Sequence, residues 1–386
     1  MPSACHTPVG SISKPMPAEF LGHVLAPEPL GPCRVVVEGE RIAVIESVPD
    51  APEGTWIVPG LVDIQLNGAF GVDFAAPEEL THARARIAAS GVTTFLATLV
   101  SAPPGAYADP LRELVPDATP GLARLAGVHL EGPWLSSAFP GAHELAALRP
   151  PSSAELAAFL APGTVRVVTL APELTGAAAA IDRLAGAGVH VAIGHSNADE
   201  AGVHAALAAG ASFGTHLFNA MRPFHHRDPG TAGALLDAAC AVTMIADGVH
   251  AADAALRLAF AAKGPGRFAL VSDAVAPLGM PPGRYRIGTW DVTSDGTVCR
   301  LADGTLAGSA TPLIAGVRRL VGCGLRFADA IRAATETPAR LAGIDGGTLE
   351  VGGRADLVVL DDGLRPVQVL AGGVSPAPRP PSPWAR

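Results

Sequence analysis

The sequence predicts an α/β fold, a (β/α)8 barrel of the TIM type with a small β-sandwich built from both termini. In the middle of the chain, short runs rich in Val, Ile and Leu alternate with Ala- and Leu-rich stretches of helical spacing. Runs that are apolar on both faces are typical of buried parallel strands, and eight of them with intervening helices favour a closed barrel. Both ends of the chain instead carry short strand-like runs that Gly and Asp turns separate.

The barrel elements follow one another in order along the chain, and a last helix follows the eighth strand. The strands are predicted at 57–65, 92–99, 125–131, 165–171, 189–195, 211–216, 240–246 and 267–273. The clearest helices are predicted at 151–160, 175–187, 198–209, 251–262 and 327–341.

The two ends of the chain are predicted to pair with each other. The segment from Cys33 to Glu46 has two β-branched runs around a Glu-Gly pair, which predicts a hairpin. The C-terminal segment contains further short strands and ends in a Pro-rich tail. We therefore predict one barrel domain over 57–344 and one β-sandwich domain that residues 1–56 and 345–386 form together.

Composition restricts the partners and the compartment. Hydrophobic residues make up 49% of the 386 residues and charged residues 16%, so a large core can be buried. The formal net charge of -9 argues against a nucleic-acid partner, because phosphate backbones require a basic face. No apolar run reaches the ~18 residues that span a bilayer, and the first 16 residues lack the pattern of a secretory signal. The five cysteines show no CxxC spacing, which predicts reduced thiols in a cytoplasmic protein.

Four polar residues follow predicted strands, namely Glu131, His195, His216 and Asp273. The carboxyl ends of the strands of such a barrel converge on one mouth, where its active sites lie. One carboxylate and two imidazoles can hold a divalent metal, and a second carboxylate beside it can move protons. Each His alone could equally be a hydrogen-bonded core residue, and Asp273 could be a cap or turn residue. Their shared position at successive strand ends favours a metal site with Asp273 as its acid–base group.

The first strand carries no His-x-His pair, which many barrel metallohydrolases use to bind a second metal. Gln65 and Asn67 stand there instead, and amides are poor zinc ligands. The sequence therefore predicts one tightly held metal, with zinc preferred and iron, cobalt or manganese also compatible with the ligand set. Asp63 and Gln65 are candidates for a second, weaker ion or for a structural role, in which Asp63 would accept a hydrogen bond from Asn67 or Gly68.

Eight ordered motifs give the sequence a resemblance to a known family. It resembles the N-acetylglucosamine-6-phosphate deacetylases of the amidohydrolase superfamily over nearly its whole length. The motifs are PGLVDIQLNG (59–68), HLEGPW (129–134), GHSNA (194–198), THLFNAM (215–221), RDPG (227–230), ADGVH (246–250), VSDA (271–274) and LAGS (306–309).

The resemblance implies hydrolysis of the acetamide of N-acetyl-D-glucosamine 6-phosphate to D-glucosamine 6-phosphate and acetate. Carried over by motif, Glu131, His195 and His216 are the metal ligands. Asp273 is the general base and then the acid, and His143 polarises the acetamide carbonyl. The substrate-binding residues are Ala142, Asn219, Ala220, Arg227, His250, Leu306, Ala307 and Gly308.

Arg227 is the residue assigned to the sugar phosphate, because a guanidinium suits bidentate phosphate binding. In the family this arginine reaches the neighbouring subunit's site, which implies a homodimer. The alternative is an exposed loop residue without a ligand. Asp228 departs from the family pattern, in which glutamate is common after the arginine.

Three other functions stay open at this stage. The same chemistry could act on N-acetylgalactosamine 6-phosphate or another acylated amine. A cyclic-amide hydrolase or nucleobase deaminase could share the barrel, although Gln65 and Asn67 count against both because those enzymes usually keep His-x-His. A non-catalytic scaffold is the third alternative.

Overall fold

The computed structural model describes residues 17–77, 79–288 and 290–376, and an eight-stranded parallel barrel forms its centre. Each barrel strand pairs with the next one along the chain. The barrel closes where Leu66 bridges Ala274 and where the Asp273 N–H donates to the Gln65 carbonyl at 2.9 Å. Its strands are β5 (Leu61–Leu66), β8 (Val92–Leu99), β9 (Arg124–Glu131), β10 (Val165–Leu170), β11 (His190–Ile193), β12 (Ala211–Gly214), β13 (Ala241–Ile245) and β14 (Phe268–Val271).

The helices cover the outside of the barrel, and a 3-10 turn lies at Leu145–Ala147. Most of their apolar faces pack against the outward side chains of the strands in one continuous core, whereas Ala339 and Leu341 of the last helix belong to the cluster inside the barrel. The helices are α1 (Leu80–Ala89), α2 (Ala108–Glu113), α3 (Ser153–Leu160), α4 (Ala177–Gly186), α5 (Glu200–Ala208), α6 (Gly230–Asp237), α7 (Asp253–Lys263), α8 (Leu313–Gly322), α9 (Phe327–Ala333) and α10 (Glu336–Leu341).

The single helix predicted over 327–341 is wrong, because the chain forms α9 and α10 with a break between them. Thr335 lies at the break with φ -136° and ψ -90°, outside the helical region. Pro338 explains the break, since a proline has no N–H to donate and its ring clashes with the carbonyl four residues earlier. Helical periodicity on the two sides of the break concealed it.

The two ends of the chain pair into one six-stranded sheet, which confirms the predicted β-rich unit. The sheet curls so that its last strand meets the segment before β19. There the Ile42 N–H donates to the Gly353 carbonyl at 3.0 Å, and the Ala355 N–H donates to the Glu40 carbonyl at 2.8 Å. The predicted hairpin is present, with its turn at Gly39 and Glu40. In sheet order the strands are β20 (Pro366–Leu370), β19 (Leu357–Leu360), β4 (Trp56–Pro59), β1 (Ala18–Leu25), β2 (Pro29–Glu38) and β3 (Arg41–Ser47).

The strand predicted over 57–65 is in fact two strands in different sheets. Strand β4 belongs to the terminal sheet and β5 to the barrel, with Gly60 between them. The Gly60 N–H donates to the backbone carbonyl of Asp356, next to the terminal sheet. The following N–H, of Leu61, donates to the carbonyl of Gly91, next to the barrel. Residues 57–59 therefore pair outside the barrel, and we propose that the boundary between the two domains lies at Gly60.

Two small β-elements were absent from the sequence prediction. A hairpin of two-residue strands follows β5, and a four-stranded antiparallel sheet follows β14. The last strand of that sheet approaches the barrel mouth, because the Ser309 N–H donates to the Asp273 carbonyl at 2.9 Å. No helix within the described ranges is long and apolar enough to cross a membrane. These strands are β6 (Gly68–Ala69), β7 (Val72–Asp73), β15 (Gly283–Ile287), β16 (Trp290–Ser294), β17 (Val298–Arg300) and β18 (Leu306–Ser309).

The close approach of Thr93 to Gly60 gives a testable prediction. A Cβ on Gly60 would lie 2.0 Å from the Thr93 Oγ1, and Thr93 is buried. Gly60→Ala should therefore lower the free energy of unfolding by about 1–3 kcal/mol, the cost of overpacking, as measured by urea denaturation. The matched control is Gly186→Ala, where the added Cβ meets nothing within 4 Å. An equal effect of both variants would contradict this account of Gly60.

Candidate active site

Glu131, His195 and His216 meet at the carboxyl ends of three barrel strands. Glu131 is the last residue of β9, His195 follows β11 and His216 follows β12. The Glu131 Oε1 lies 3.2 Å from the His195 Nε2 and 2.8 Å from the His216 Nε2. All three side chains are buried, and their ligand atoms lie within 4.8 Å of one another. The sequence prediction brought these three residues together, and the structure places them as one cluster.

The cluster fits a divalent metal in its distances. The two Nε2 atoms are 3.2 Å apart, close to the two nitrogen–oxygen distances. A tetrahedral zinc with bonds of about 2.0–2.1 Å separates its ligands by about 3.3 Å. Two imidazole nitrogens and one carboxylate oxygen at that spacing form three corners of such a site, and a fourth corner would remain for water or substrate.

The His195 ring is oriented for ligation. Its Nδ1 lies 3.1 Å from the carbonyl of Phe139, so with a metal bound the proton would stay on Nδ1 and the Nε2 lone pair would face the metal. Burial opposes charge on Glu131, but hydrogen bonds from His195 and His216 outweigh it and hold the pKa of Glu131 well below its ordinary value. Burial likewise lowers the pKa of His216, yet the bond to Glu131 exceeds that effect and raises it overall. Glu131 is thus kept ionised as a ligand.

Asp273 lies beside this cluster, after strand β14. Its Oδ1 accepts hydrogen bonds from the Asn67 Nδ2 at 2.8 Å and from the Gln65 Nε2 at 3.4 Å. The same Gln65 Nε2 donates to the Glu131 Oε1 at 3.0 Å. Burial, followed by the charge of Glu131, raises the pKa of Asp273 to about 7. A carboxyl group that titrates near neutral pH is suited to take up and return a proton.

His143 lies beside the cluster, on the long segment that follows β9. The pattern of strands alone did not predict this residue. Its Nε2 lies 4.0 Å from the Glu131 Oε2, and its Nδ1 accepts a hydrogen bond from the Ser101 N–H at 3.2 Å. Burial, and next the charge of His195, lowers the pKa of His143 to about 3. The ring is therefore neutral at pH 7 with its proton on Nε2, so it presents a hydrogen-bond donor to the mouth.

Two of the cluster residues and Asp273 have left-handed backbone conformations. The φ angles are 47° at His195, 27° at His216 and 48° at Asp273. Such conformations cost of order 1–3 kcal/mol each in non-glycine residues and concentrate at functional sites. Buried partners hold the backbone in place, as where the His216 N–H donates to the Thr243 Oγ1 at 2.8 Å.

Comparison with known proteins assigns this arrangement to a family. Residues 56–378 match the amidohydrolase family. The chain belongs to that family. The predicted superfamily resemblance and the barrel fold are confirmed, and a buried Glu–His–His cluster in an amidohydrolase indicates a metal-dependent hydrolase.

Several relatives named as deacetylases are similar to most of the chain. The amidohydrolase is similar to the N-acetylglucosamine-6-phosphate deacetylase of Homo sapiens, with 43% identity over 331 residues that cover 81% of each chain. It is also similar to the N-acetylgalactosamine-6-phosphate deacetylase of Escherichia coli O157:H7, with 38% identity over 346 residues that cover 86% of this chain and 91% of the relative.

A solved structure with a bound sugar phosphate is similar along most of the chain. It is an aspartate-to-alanine mutant of the N-acetyl-D-glucosamine-6-phosphate deacetylase from Mycobacterium smegmatis in complex with N-acetyl-D-glucosamine-6-phosphate. The TM-score is 0.87 at 38% sequence identity, and the match covers 93% of this chain and 98% of that chain.

The amidohydrolase places most of its predicted substrate-binding residues around the cluster. Ala142 follows Gly141, and a Cβ added to Gly141 would lie 3.0 Å from the His195 Cε1. Asn219 donates to the His216 carbonyl at 3.2 Å, and Ala220 has a φ of 47°. Leu306, Ala307 and Gly308 belong to β18, and a Cβ on Gly308 would lie 2.9 Å from the Asp273 carbonyl oxygen.

His250 has a partner that the sequence prediction missed. The His250 Nδ1 lies 2.6 Å from the Asp247 Oδ2, and the Asp247 Oδ1 accepts the backbone N–H groups of Val249 and His250 at 2.9 Å. Burial raises the pKa of Asp247, but these hydrogen bonds outweigh it and lower the pKa overall. The acidic residue three positions before His250 in the ADGVH motif could have indicated the pair.

Arg227 lies apart from the cluster, on an exposed loop. Its Nη1 contacts the His226 Nε2 at 2.8 Å, whereas the neighbouring Arg222 pairs with Asp228 at 2.5 Å. Among the described residues, no carboxylate pairs with Arg227. Within this one chain, the structure does not bring Arg227 together with the other predicted site residues.

Asp63 has the hydrogen bonds of a structural residue rather than the geometry of a metal ligand. Its Oδ1 accepts hydrogen bonds from the backbone N–H groups of Gln65 at 3.3 Å and Ser272 at 3.2 Å. The predicted partners, Asn67 and Gly68, are wrong, because the carboxylate accepts the N–H groups of Gln65, on its own strand, and of Ser272, after the last barrel strand. Asp63 therefore joins β5 to the end of β14 at the closure of the barrel.

The buried position of Asp63 predicts a dependence of stability on pH. Burial raises its pKa from 3.8 to about 6. Well below pH 3.8 both the folded and the unfolded chain carry the proton, whereas between pH 3.8 and 6 the unfolded chain has lost it and the folded chain keeps it, so the stability of wild type falls across this window. Asp63→Asn removes this loss, so its free energy of unfolding relative to wild type should rise by about 2–3 kcal/mol between pH 4 and pH 7. Urea denaturation at several pH values measures this, with the exposed Asp182→Asn as control. A pH-independent difference for Asp63→Asn would contradict the assignment.

Proposed function

We propose that the protein hydrolyses the acetamide of N-acetyl-D-glucosamine 6-phosphate to D-glucosamine 6-phosphate and acetate. The observation that carries this proposal is the buried Glu131–His195–His216 cluster with Asp273 beside it. The similarity to named deacetylases over more than four fifths of the chain supports the substrate class.

The cofactor we propose is one divalent metal, zinc in preference to iron, cobalt or manganese. Glu131, His195 and His216 would hold it, and when bound it supplies Lewis-acid polarisation and hydroxide near neutral pH. Gln65 and Asn67 present amide N–H groups to carboxylates at the position where a second metal would bind. This donor set supports a single metal, with Gln65 and Asp63 in structural roles.

Asp273 is the acid–base residue in this proposal. Its Oδ1 is occupied by Asn67 and Gln65, so its Oδ2 is the atom that would take a proton from the attacking water. The water oxygen bonds to the acetamide carbon while the His143 Nε2–H donates to the acetamide oxygen and stabilises its developing charge. Asp273 then returns the proton to the amine nitrogen, the C–N bond breaks, and acetic acid leaves, which ionises to acetate and gives its proton to the free amine in solution.

The remaining residues would bind the sugar. His250, held by Asp247, would accept or donate a hydrogen bond at a sugar oxygen, and Ala142, Asn219 and Ala220 would offer backbone and amide contacts to the ligand. Leu306, Ala307 and Gly308, on β18, would form a further wall of the substrate pocket. These roles rest on the family resemblance together with the position of each residue beside the cluster.

Arg227 would bind the phosphate in the site of a partner subunit, which makes a homodimer part of this proposal. Its exposure and its lack of a carboxylate partner among the described residues support this, since the guanidinium is available to an anion.

A cytoplasmic location is part of the same proposal. The four cysteines that lie in the described ranges are all free thiols, which supports a reducing compartment.

A galactosamine substrate is the second candidate, because the Escherichia coli O157:H7 relative named for it is also 38% identical. A cyclic-amide hydrolase or a nucleobase deaminase finds less support, since Gln65 and Asn67 replace His-x-His. A scaffold role finds less still, because the ligand cluster and the acid–base group lie together.

Substitution of the acid–base residue tests the mechanism. Asp273→Asn keeps the shape of the side chain but cannot take a proton, so it should bind metal normally and lose about 10²–10⁴-fold in kcat. Deacetylation rates and metal content are measured on the same preparations. The exposed Asp237→Asn serves as the control. Near-wild-type turnover by Asp273→Asn would show that another group is the base.

A substrate panel tests the proposed function and the role of Arg227. Wild type should deacetylate N-acetylglucosamine 6-phosphate and lose this activity after chelation, and the unphosphorylated sugar should be a poorer substrate. Arg227→Ala should lower kcat/KM on the phosphorylated sugar by about 10–100-fold, the loss of a charged hydrogen bond, and leave the unphosphorylated sugar unaffected. Arg112→Ala, 72% exposed, is the control. Faster turnover of N-acetylgalactosamine 6-phosphate would favour the second candidate, and equal rates with and without phosphate would reject the role of Arg227.

A further inference from the structure

A line of buried polar side chains runs through the barrel core next to the ligand cluster. It consists of His129, Thr169, Thr215 and Gln65, none more than 1% exposed. Alternate residues of a strand share a face, so His129 lies one layer deeper than Glu131 on β9. The surrounding interior is apolar, and a buried polar group without a partner costs about 1–3 kcal/mol. A connected set of four such groups in this core therefore calls for a function.

Hydrogen bonds and one hydroxyl–hydroxyl contact join the four residues. The His129 Nδ1 donates to the Ile64 carbonyl at 2.9 Å, so its Nε2 accepts the Thr169 hydroxyl at 2.8 Å. The hydroxyls of Thr169 and Thr215 lie 3.4 Å apart, and the Thr215 hydroxyl donates to the Gln65 Oε1 at 3.4 Å. The line of buried polar side chains thus ends on the amide oxygen of Gln65.

The orientation of the Gln65 amide matters because its two ends are nearly equal in shape and opposite in polarity. Its Nε2 donates to the Glu131 Oε1 at 3.0 Å and lies 3.4 Å from the Asp273 Oδ1. The reversed amide would place an oxygen against two carboxylate oxygens, which repel it. The Thr215 hydroxyl is the only donor to the Gln65 Oε1 in the described part of the chain.

We propose that His129, Thr169 and Thr215 are positioning residues that fix the Gln65 amide with its N–H group toward the ligand Glu131 and the base Asp273. His129 accepts the Thr169 hydroxyl, Thr169 lies against Thr215 at 3.4 Å, and the Thr215 hydroxyl donates to Gln65. The link to Asp273 rests on the proposed function, whereas the link to Glu131 concerns metal binding alone. Groups that orient metal ligands in this way typically change metal affinity 10–100-fold when removed.

The test is a double-mutant cycle between Thr215→Val and Gln65→Leu, with zinc affinity of the full chain measured by chelator competition. Thr215→Val removes the hydroxyl and keeps the shape, so zinc affinity should fall about 10-fold, and kcat should fall with KM unchanged because substrate does not touch Thr215. Thr215→Ser restores the hydroxyl and should restore both. In the Gln65→Leu background, Thr215→Val should have no further effect, since it acts through the amide.

Thr164→Val is the matched control, because Thr164 is a buried barrel threonine whose hydroxyl has no partner among the described residues. Thr169→Val, one link farther away, gives the same pattern if Thr215→Val does not fold. Unchanged zinc affinity in Thr215→Val, or losses that multiply in the double variant, would overturn the inference. If wild type fails to deacetylate the sugar phosphate but the zinc cycle shows coupling, the proposed function fails and the positioning chain stands.

Discussion

The Glu131 Oε1 contacts His195, His216 and Gln65 at 3.2, 2.8 and 3.0 Å, and the rest of the site depends on these contacts. An ionised carboxylate in a barrel core is costly unless opposite charge or hydrogen-bond donors surround it. Here two imidazoles, one amide and the proposed metal meet that requirement. The barrel brings these groups together because its strands are parallel and their carboxyl ends share one mouth.

The two carboxylates of the site differ because their surroundings differ. Hydrogen bonds from two imidazoles keep the pKa of Glu131 low despite burial, whereas burial and the charge of Glu131 raise the pKa of Asp273 to about 7. Separation of two nearby pKa values in this way assigns a ligand role to one group and an acid–base role to the other. Gln65 bonds to both carboxylates, so it links the two roles in space.

The close packing around the site also limits its sequence. Gly194 precedes His195, and a Cβ there would lie 2.6 Å from the Thr215 Cγ2 and 2.9 Å from the Thr169 Cγ2. The same two threonines belong to the buried polar line next to Gln65. A glycine is therefore required for the close approach of strands β10, β11 and β12 beneath the ligands. Rigid packing of this kind holds the left-handed backbone of His195 and His216 in place.

The sequence by itself determined the barrel, the pairing of the two ends and the convergence of Glu131, His195, His216 and Asp273, because apolar runs and their terminal polar residues are local patterns. Only the tertiary structure decided that residues 57–65 divide between two sheets, that Asp63 bonds to Ser272, and that Asp247 holds His250. The line of buried polar contacts from His129 to Gln65 likewise joins residues up to 150 positions apart. Hydrogen-bond partners across strands depend on register and side-chain direction, which no local pattern encodes.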